Sequence, residues 1–260
     1  MTKSKDWDPE HYLKFKNERT QPSIDLVSRI DIAYEPGHIA DIGCGPGNSS
    51  QVLSLRWPGA ELVGVDNSPA MIAKAKKEYP ANTWVLSEAM NFAPDIKFDI
   101  IFSNATIQWI PRHKKLFAKL ITMLSEKGVI AIQIPKFQDM LLGRIIRQVS
   151  QKKEWKKETA GCEDLFTCHD YHFYYNLLSA DMQRIDMWET DYLHVMPGHS
   201  AIVDWIKSTG LKPYLDRIPD EKRKNIFERE ILKEIKKYYP VQKDGRVLFP
   251  FKRLFFIAYK

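Results

Sequence analysis

Three glycines at alternate positions, Gly43, Gly45 and Gly47, end an apolar run inside "ADIGCGPGNSS" (residues 40–50). A turn so rich in glycine lets something approach the backbone where a side chain would otherwise stand. What surrounds the turn limits what that can be. "HIADIG" (38–43), "AELVGVD" (60–66), "NTWVLSEA" (82–89), "KFDIIFSNA" (97–105) and "GVIAIQIP" (128–135) read as short, nearly continuous apolar strands. Helical segments separate them. One runs from the glycine turn to about Trp57, and one follows Pro111. Another is "SPAMIAKAKKEY" (68–79), with Ser68 at the N-cap and Pro69 at the first helical position. Apolar strands alternating with amphipathic helices predict a parallel sheet covered on both faces, a Rossmann-like doubly wound α/β core.

Beyond Pro135 the pattern changes. Residues 136–181 and 199–239 read as helical, 182–196 as a strand and 246–260 as a strongly apolar final strand. Two helical insertions around the last strands would form a cap.

The glycine turn can be assigned by elimination. A phosphate-cradling loop would close on Gly-Lys-Ser/Thr, but this one closes on Gly47-Asn48-Ser49-Ser50. A dinucleotide fingerprint spaces its glycines G-x-G-x-x-G, whereas these run G-x-G-x-G. Asp41 stands two positions before Gly43, where a carboxylate repels a pyrophosphate and suits an ammonium. The expected ligand carries an α-amino group and a ribose but no phosphate. Asp66, ending the second strand, is placed to accept from both ribose hydroxyls. Its alternative role, capping the next helix, is already filled by Ser68. Glu88 is placed to meet an adenine amino group and the Ala89 amide a ring nitrogen; an exposed charge at a strand end is the plainer reading of Glu88.

Taken together, these residues resemble the class I S-adenosylmethionine-dependent methyltransferases across about residues 38–135. "WDPEHYLKFKNERTQP" (7–22), "SNATIQWIP" (103–111), "STGLKPYL" (208–215) and "DGRVLFPFKRLFFIAYK" (244–260) are similar to the trans-aconitate 2-methyltransferase branch almost end to end. The resemblance implies a seven-stranded, mostly parallel sheet with an antiparallel last strand. It implies S-adenosyl-L-methionine as co-substrate, S-adenosyl-L-homocysteine as product, and methyl esterification of trans-aconitate or a similar small polycarboxylate. The expected organisation is an N-terminal lid and helix (1–36), a cofactor-binding core (37–135), helical cap insertions with the sixth strand (136–246) and the final strand (247–260). Trp7, Tyr12 and Phe15 would close the lid, although their spacing also fits one packed helix face. The implied cofactor set is Tyr12, Asp41, Gly43, Gly45, Asp66, Asn67, Glu88, Ala89 and Asn104.

A carboxylate is ionised at neutral pH, so the reaction needs no general base, and no catalytic side chain and no metal are expected. A substrate with several carboxylates needs cations, and arginine matches a carboxylate best. Arg19, Arg246 and Arg253, with Lys252 beside the last, are the candidates; each could instead form a surface ion pair. Trp109 could wall the acceptor site or pack in the core. His169 and Tyr171, in the aromatic stretch "CHDYHFYYN" (168–176), are possible polar substrate contacts. His113 reads as an exposed helix residue.

The remaining composition excludes more than it proposes. Net charge is +6, but "QKKEWKKE" (151–158) and "DEKRKN" (220–225) mix signs on expected helices, unlike a nucleic-acid stripe. Ser103-Asn104-Ala105-Thr106 lacks the Asn/Asp-Pro-Pro-aromatic grip of nucleic-acid amino-methyltransferases. No apolar run approaches a membrane span, and no apolar leader opens "MTKSKDWDPE". Three unpaired-looking cysteines fit a reducing cytoplasm. A malonyl-thioester methyltransferase and a non-enzymatic cofactor sensor are the surviving alternatives.

Overall fold

The computed structural model describes residues 6–260. The first five residues of the expected lid, and half of the stretch read as leaderless, lie outside that range. From the N-terminus come α1 (Pro9–Leu13), α2 (Lys16–Ser28), β1 (His38–Ile42), α3 (Asn48–Arg56), β2 (Glu61–Asp66), α4 (Pro69–Glu78), β3 (Thr83–Leu86) and β4 (Phe98–Asn104). Then follow α5 (His113–Met123), β5 (Leu124–Pro135), α6 (Leu141–Ser150), α7 (Tyr171–Leu178), β6 (Arg184–Met196), α8 (His199–Lys207), α9 (Lys212–Arg217), α10 (Glu221–Tyr238) and β7 (Val247–Tyr259).

The seven strands form one sheet in the order β3-β2-β1-β4-β5-β7-β6. β3, β2, β1, β4 and β5 pair in parallel. Against β5, β7 runs the other way: the Lys136 N–H donates to the Lys252 carbonyl and the Lys260 N–H to the Gly128 carbonyl. Residue numbers rise along β5 as they fall along β7. The strand order reverses between β1 and β4, and open α/β sheets bind ligands at that reversal, beyond the carboxyl ends of the strands.

Local rules explain most boundaries. The Ser68 hydroxyl accepts from the Met71 N–H with Pro69 in the first turn, as the sequence predicts. α5 buries His113, Leu116, Phe117, Leu120 and Met123, one stripe at helical spacing. Three expectations are corrected. β3 ends at Leu86, because the Ser87 N–H makes the last bond to β2, at the Asp66 carbonyl. Glu88 and Ala89 therefore lie in a turn, where the Glu88 carbonyl accepts from Asn91 and Phe92. β5 starts four residues earlier than expected, at Leu124. Residues 151–170 are mostly turns, not helix. Trp155 and Cys162 are buried there, and the Thr159 hydroxyl bonds the Ser150 and Trp155 carbonyls. Burying those two side chains wins over the helix propensity of the Lys/Glu run.

The chain divides into two compact units. Among the described residues, one holds 6–134, 167–189 and 254–260; the other holds 135–166 and 190–253. β6 and β7 each pass through both. In the first unit, Ile42, Ile101 and Ile130 of the sheet pack with Leu116, Phe117 and Leu120 of α5, Tyr174 of α7 and Phe256 of β7. A smaller cluster joins Cys44, Ile72, Ala75 and Trp84, with Tyr79 against it. In the second unit, Trp155 meets Phe227 edge to face at 5.1 Å.

Candidate active site

The three glycines of the turn have positive φ: +74° at Gly43, +54° at Gly45 and +92° at Gly47. Two of them are also needed for space. A Cβ on Gly43 would stand 2.1 Å from the Thr106 side chain, and one on Gly47 2.7 Å from the Tyr79 ring. Gly45 differs: nothing lies within 4 Å of the place its Cβ would take. Its face is open, and a ligand can lie along the backbone there.

Asp41 of β1 is wholly buried. One carboxylate oxygen, Oδ2, accepts from the hydroxyls of Ser49 (2.7 Å) and Ser50 (2.6 Å). The other, Oδ1, has no hydrogen-bond partner among the described residues. Burial pushes the Asp41 carboxyl up to about 6, against the pull of the two serines. On the neighbouring strand, Asn104 ends β4 nearly buried, and its Oδ1 is likewise without a partner among the described residues. Buried acceptors left unmatched are uncommon in folded proteins. These two fit a group rich in N–H donors, such as an ammonium.

Asp66 closes the other side of the turn. Its carboxylate accepts from the N–H of Gly45 (2.9 Å) and of Ser68 (2.9 Å), and burial raises its pKa. Asn67 and Glu88 are exposed and Ala89 is partly buried, so the surroundings of Asn67, Glu88 and Ala89 are open where Asp41 and Asp66 are enclosed.

The N-terminal segment packs within the same unit. The Asp6 carboxylate accepts from the Ser68 hydroxyl (2.5 Å) and the Ala70 N–H (3.0 Å) at the start of α4. Glu10 pairs with Lys74 of α4 at 2.9 Å. Trp7 meets Trp109 edge to face at 5.3 Å. The Arg19 guanidinium lies 4.2 Å above the Tyr12 ring, and Arg19 is 6% exposed. Burial lowers its pKa from a very high starting point, and the charge is kept.

The other candidates are placed as follows. His169 stacks on Phe173 at 3.8 Å, and burial lowers its pKa. Tyr171 is 47% exposed at the start of α7. In the second unit, Arg246 is exposed in a turn, its Nε 3.8 Å from the Asp244 carboxylate. Arg253 is buried, with its guanidinium 4.5 Å from the Phe251 ring. His113 is not an exposed helix residue. It is 1% exposed, with Nε2 against the Ile107 carbonyl (2.8 Å) and Nδ1 against the Tyr174 hydroxyl (2.9 Å). A carbonyl can only accept, so the proton sits on Nε2 and the Tyr174 hydroxyl donates to Nδ1. Thr106 and Asp6 went unnoticed in the sequence. Nothing local marks Thr106 as the partner of Gly43, 63 residues away. Among the described residues, no cluster of His, Cys, Asp and Glu could hold a metal ion, and no helix is long and apolar enough to cross a membrane.

Comparison with known proteins identifies the family. Residues 40–132 match a family model described as a methyltransferase domain. A trans-aconitate 2-methyltransferase of Yersinia pseudotuberculosis is 41% identical over 98% of this chain and 98% of its own. Among solved structures, the YcgJ protein of Bacillus subtilis aligns at a TM-score of 0.62, with 15% identity, over 92% of this chain and 98% of its own. A phosphoethanolamine N-methyltransferase 2 of Haemonchus contortus, solved with phosphomonomethylethanolamine and S-adenosylhomocysteine, aligns at 0.57 with 17% identity, covering 92% of this chain and 52% of that one. The two structures share the fold; the Yersinia relative is similar in sequence almost from end to end. The chain belongs to the trans-aconitate 2-methyltransferase family of S-adenosylmethionine-dependent methyltransferases.

Proposed function

We propose that the chain methyl-esterifies a carboxylate of trans-aconitate, or of a closely similar small polycarboxylate, with S-adenosylmethionine as methyl donor. The Yersinia relative is named for that reaction. The observation that carries the cofactor reading is the buried, unmatched Oδ1 of Asp41, four residues before the open face of Gly45. An α-ammonium would satisfy Asp41 and Asn104, and a ribose would take the Asp66 carboxylate from the backbone amides it now accepts. Neither position could accept a pyrophosphate, because both carboxylates would repel it. Tyr12, Gly43, Asn67, Glu88 and Ala89 complete the proposed cofactor surface.

When bound, S-adenosylmethionine supplies a methyl group already activated by the positive charge on sulfur. The work left to the protein is positioning. Arg19 would hold a substrate carboxylate in its planar fork, steadied on the Tyr12 ring. Trp7 and Trp109 would exclude water, so the reacting carboxylate is less hydrated. Positioning of this kind can lower a barrier by roughly 7–11 kcal/mol at best, which is why no acid–base pair is needed.

The test is a panel of di- and tricarboxylic acids incubated with methyl-labelled cofactor, the ester position being read by mass spectrometry. Label in a trans-aconitate monoester is the expected result. Label in no polycarboxylate, with the cofactor bound, would remove the substrate assignment and leave the cofactor assignment standing.

A further inference from the structure

The loop between β4 and α5, residues 105–112, is held in one shape along its length. Ala105 and Arg112 bracket it with positive φ, +54° and +62°, which is uncommon for residues that carry a side chain. The Thr106 hydroxyl donates to the Gly43 carbonyl (3.1 Å), tying the loop to the glycine turn. The Ile107 carbonyl accepts from His113 Nε2 (2.8 Å), and the Gln108 carbonyl from the Thr167 N–H (2.8 Å). Left-handed backbone of this kind, fixed by its surroundings, gathers at ligand sites.

Gln108 stands in the middle of the loop, in the 3-10 turn Ile107–Trp109, and is 5% exposed. Its side-chain Nε2 donates to the Ala105 carbonyl at 2.7 Å. A carbonyl can only accept, so the amide orientation is settled and Oε1 turns away from that contact. Oε1 is buried and has no hydrogen-bond partner among the described residues. Ala105 follows Asn104, whose own Oδ1 is unmatched in the same way. Asn104 in turn lies two residues beyond Phe102, the partner of Asp41 in the β1–β4 register. Asp41 Oδ1, Asn104 Oδ1 and Gln108 Oε1 are thus unmatched acceptors borne by two neighbouring strands and the loop that leaves one of them.

Chemistry narrows what can satisfy them. Each needs an N–H or O–H donor, and an ionised polycarboxylate offers none, so the methyl acceptor is not the partner of Gln108. Among the donors of S-adenosylmethionine, the ribose hydroxyls fall to Asp66 on β2 and the adenine amino group to Glu88 after β3. Both lie on the other side of β1 from β4. The α-ammonium remains, and it carries three N–H donors, one for each acceptor. Trp7 meets Trp109, the residue after Gln108, edge to face, so the segment proposed as a lid helps to enclose this end.

We propose that Gln108 is a third ligand of the cofactor α-ammonium, its Oε1 accepting alongside Asp41 Oδ1 and Asn104 Oδ1. Gln108 then binds the methionine end of the cofactor and takes no part in the methyl transfer itself. This inference rests on the reading that places the ammonium at Asp41 and Asn104.

The experiment is calorimetry on the full chain, wild type against Gln108→Met and Gln108→Leu. The probes are S-adenosylhomocysteine, its deaminated analogue with hydrogen in place of the α-ammonium, and 5′-methylthioadenosine, which lacks the amino-acid part altogether. Loss of one hydrogen bond to a charged group should weaken S-adenosylhomocysteine about tenfold in both variants. The two probes without an ammonium should bind within about twofold of wild type, because the coupling under test is absent from them. Met and Leu differ in shape but both lack the oxygen, so either one, if folded by thermal melting, suffices. Unchanged affinity for S-adenosylhomocysteine in a folded variant overturns the proposal. An equal loss on all the probes also overturns it, since damage to the loop alone would give that. If the wild type binds S-adenosylhomocysteine no better than the deaminated analogue, the ammonium is not recognised, and the reading of Asp41 and Asn104 fails along with this one. If the wild type tells the two apart and each variant does so by the same factor, only the role of Gln108 fails.

Discussion

The Asp66 carboxylate accepts a hydrogen bond from the Gly45 N–H at 2.9 Å, joining the end of β2 to a turn 21 residues earlier in the chain. Two motifs that stand apart in the sequence are thus one structure. The bond holds the only glycine of the turn whose Cβ position faces open space, and it does so with the carboxylate proposed to take the ribose.

The first prediction follows from that bond. Asp66→Ala should weaken S-adenosylmethionine binding by about 1.5–3 kcal/mol, the range for hydrogen bonds to a charged group. Calorimetry measures it directly. Wild-type affinity in the variant would place the ribose elsewhere.

Gly43 gives a second prediction, about stability. An alanine there must hold φ at +74° and fit its Cβ 2.1 Å from the Thr106 side chain. Strain of that kind costs about 1–3 kcal/mol, and overpacking of this sort about the same again. Gly43→Ala should therefore unfold at clearly lower denaturant, and adding Thr106→Gly should recover the overpacking part but not the strain. Equal stability of Gly43→Ala and wild type would mean that Thr106 moves away freely.

These two cases show why some of the site was legible and some was not. Glycine spacing, the acid two positions before it, the acid ending β2 and the Ser68–Pro69 helix start are local rules, readable from a few neighbours. The burial of His113 depends on Tyr174, 61 residues on, and nothing near His113 announces it. Glu88 and Ala89 fell outside β3 because the Ser87 N–H makes the last bond to β2, a register set by a different strand. The expected helix after Gln151 failed because two buried side chains, Trp155 and Cys162, fix a turn-rich path. Arg253 meets aromatic rings from two strands far apart in sequence, Tyr192 of β6 and Phe251 of β7. Periodicity finds elements, while long-range packing decides which polar groups end up enclosed.

Asp41 makes the site sensitive to pH. Its carboxyl is raised from 3.8 to about 6 in the folded chain, chiefly by burial. The folded state therefore binds a proton more tightly than the unfolded state, and this group's contribution to stability falls as pH rises from about 3.8 through about 6. Asp41→Asn should remove that slope, seen by denaturant unfolding at several pH values. Ligand binding should show the opposite trend. An ammonium favours the ionised carboxylate, so affinity for S-adenosylhomocysteine should rise with pH across the same window. One unit below the folded pKa it should be about tenfold weaker. An affinity flat between pH 5 and 8 would separate Asp41 from the ligand.

The N-terminal segment is proposed as a lid. It is held by the Asp6 contacts to the start of α4, the Glu10–Lys74 pair at 2.9 Å and the Trp7–Trp109 edge contact. Contacts of this polar and edge-aromatic kind open at lower free energy than a buried core. Hydrogen exchange should find residues 6–20 fast-exchanging in the free protein and slowed when S-adenosylhomocysteine is bound. Equal protection in both states would make the segment a permanent part of the fold.

Arg19 supplies the last prediction. Its guanidinium is nearly buried and lies 4.2 Å above the Tyr12 ring, so with the N-terminal segment closed it is fixed in direction. A fixed fork spends little ordering entropy on binding a carboxylate, whereas a flexible lysine would spend more. Arg19→Ala should raise KM for trans-aconitate far more than KM for the cofactor, by about 1.5–3 kcal/mol in kcat/KM. Arg19→Lys should recover only part, because a point charge reproduces neither the two-bond geometry nor the flat stacking on tyrosine. Tyr12→Phe keeps the ring under the guanidinium and should fall between wild type and Tyr12→Ala in the same assay. Wild-type kinetics for Arg19→Ala on every acid tested would show that the carboxylate is held without this residue, and would shift the positioning role to other cations of the chain.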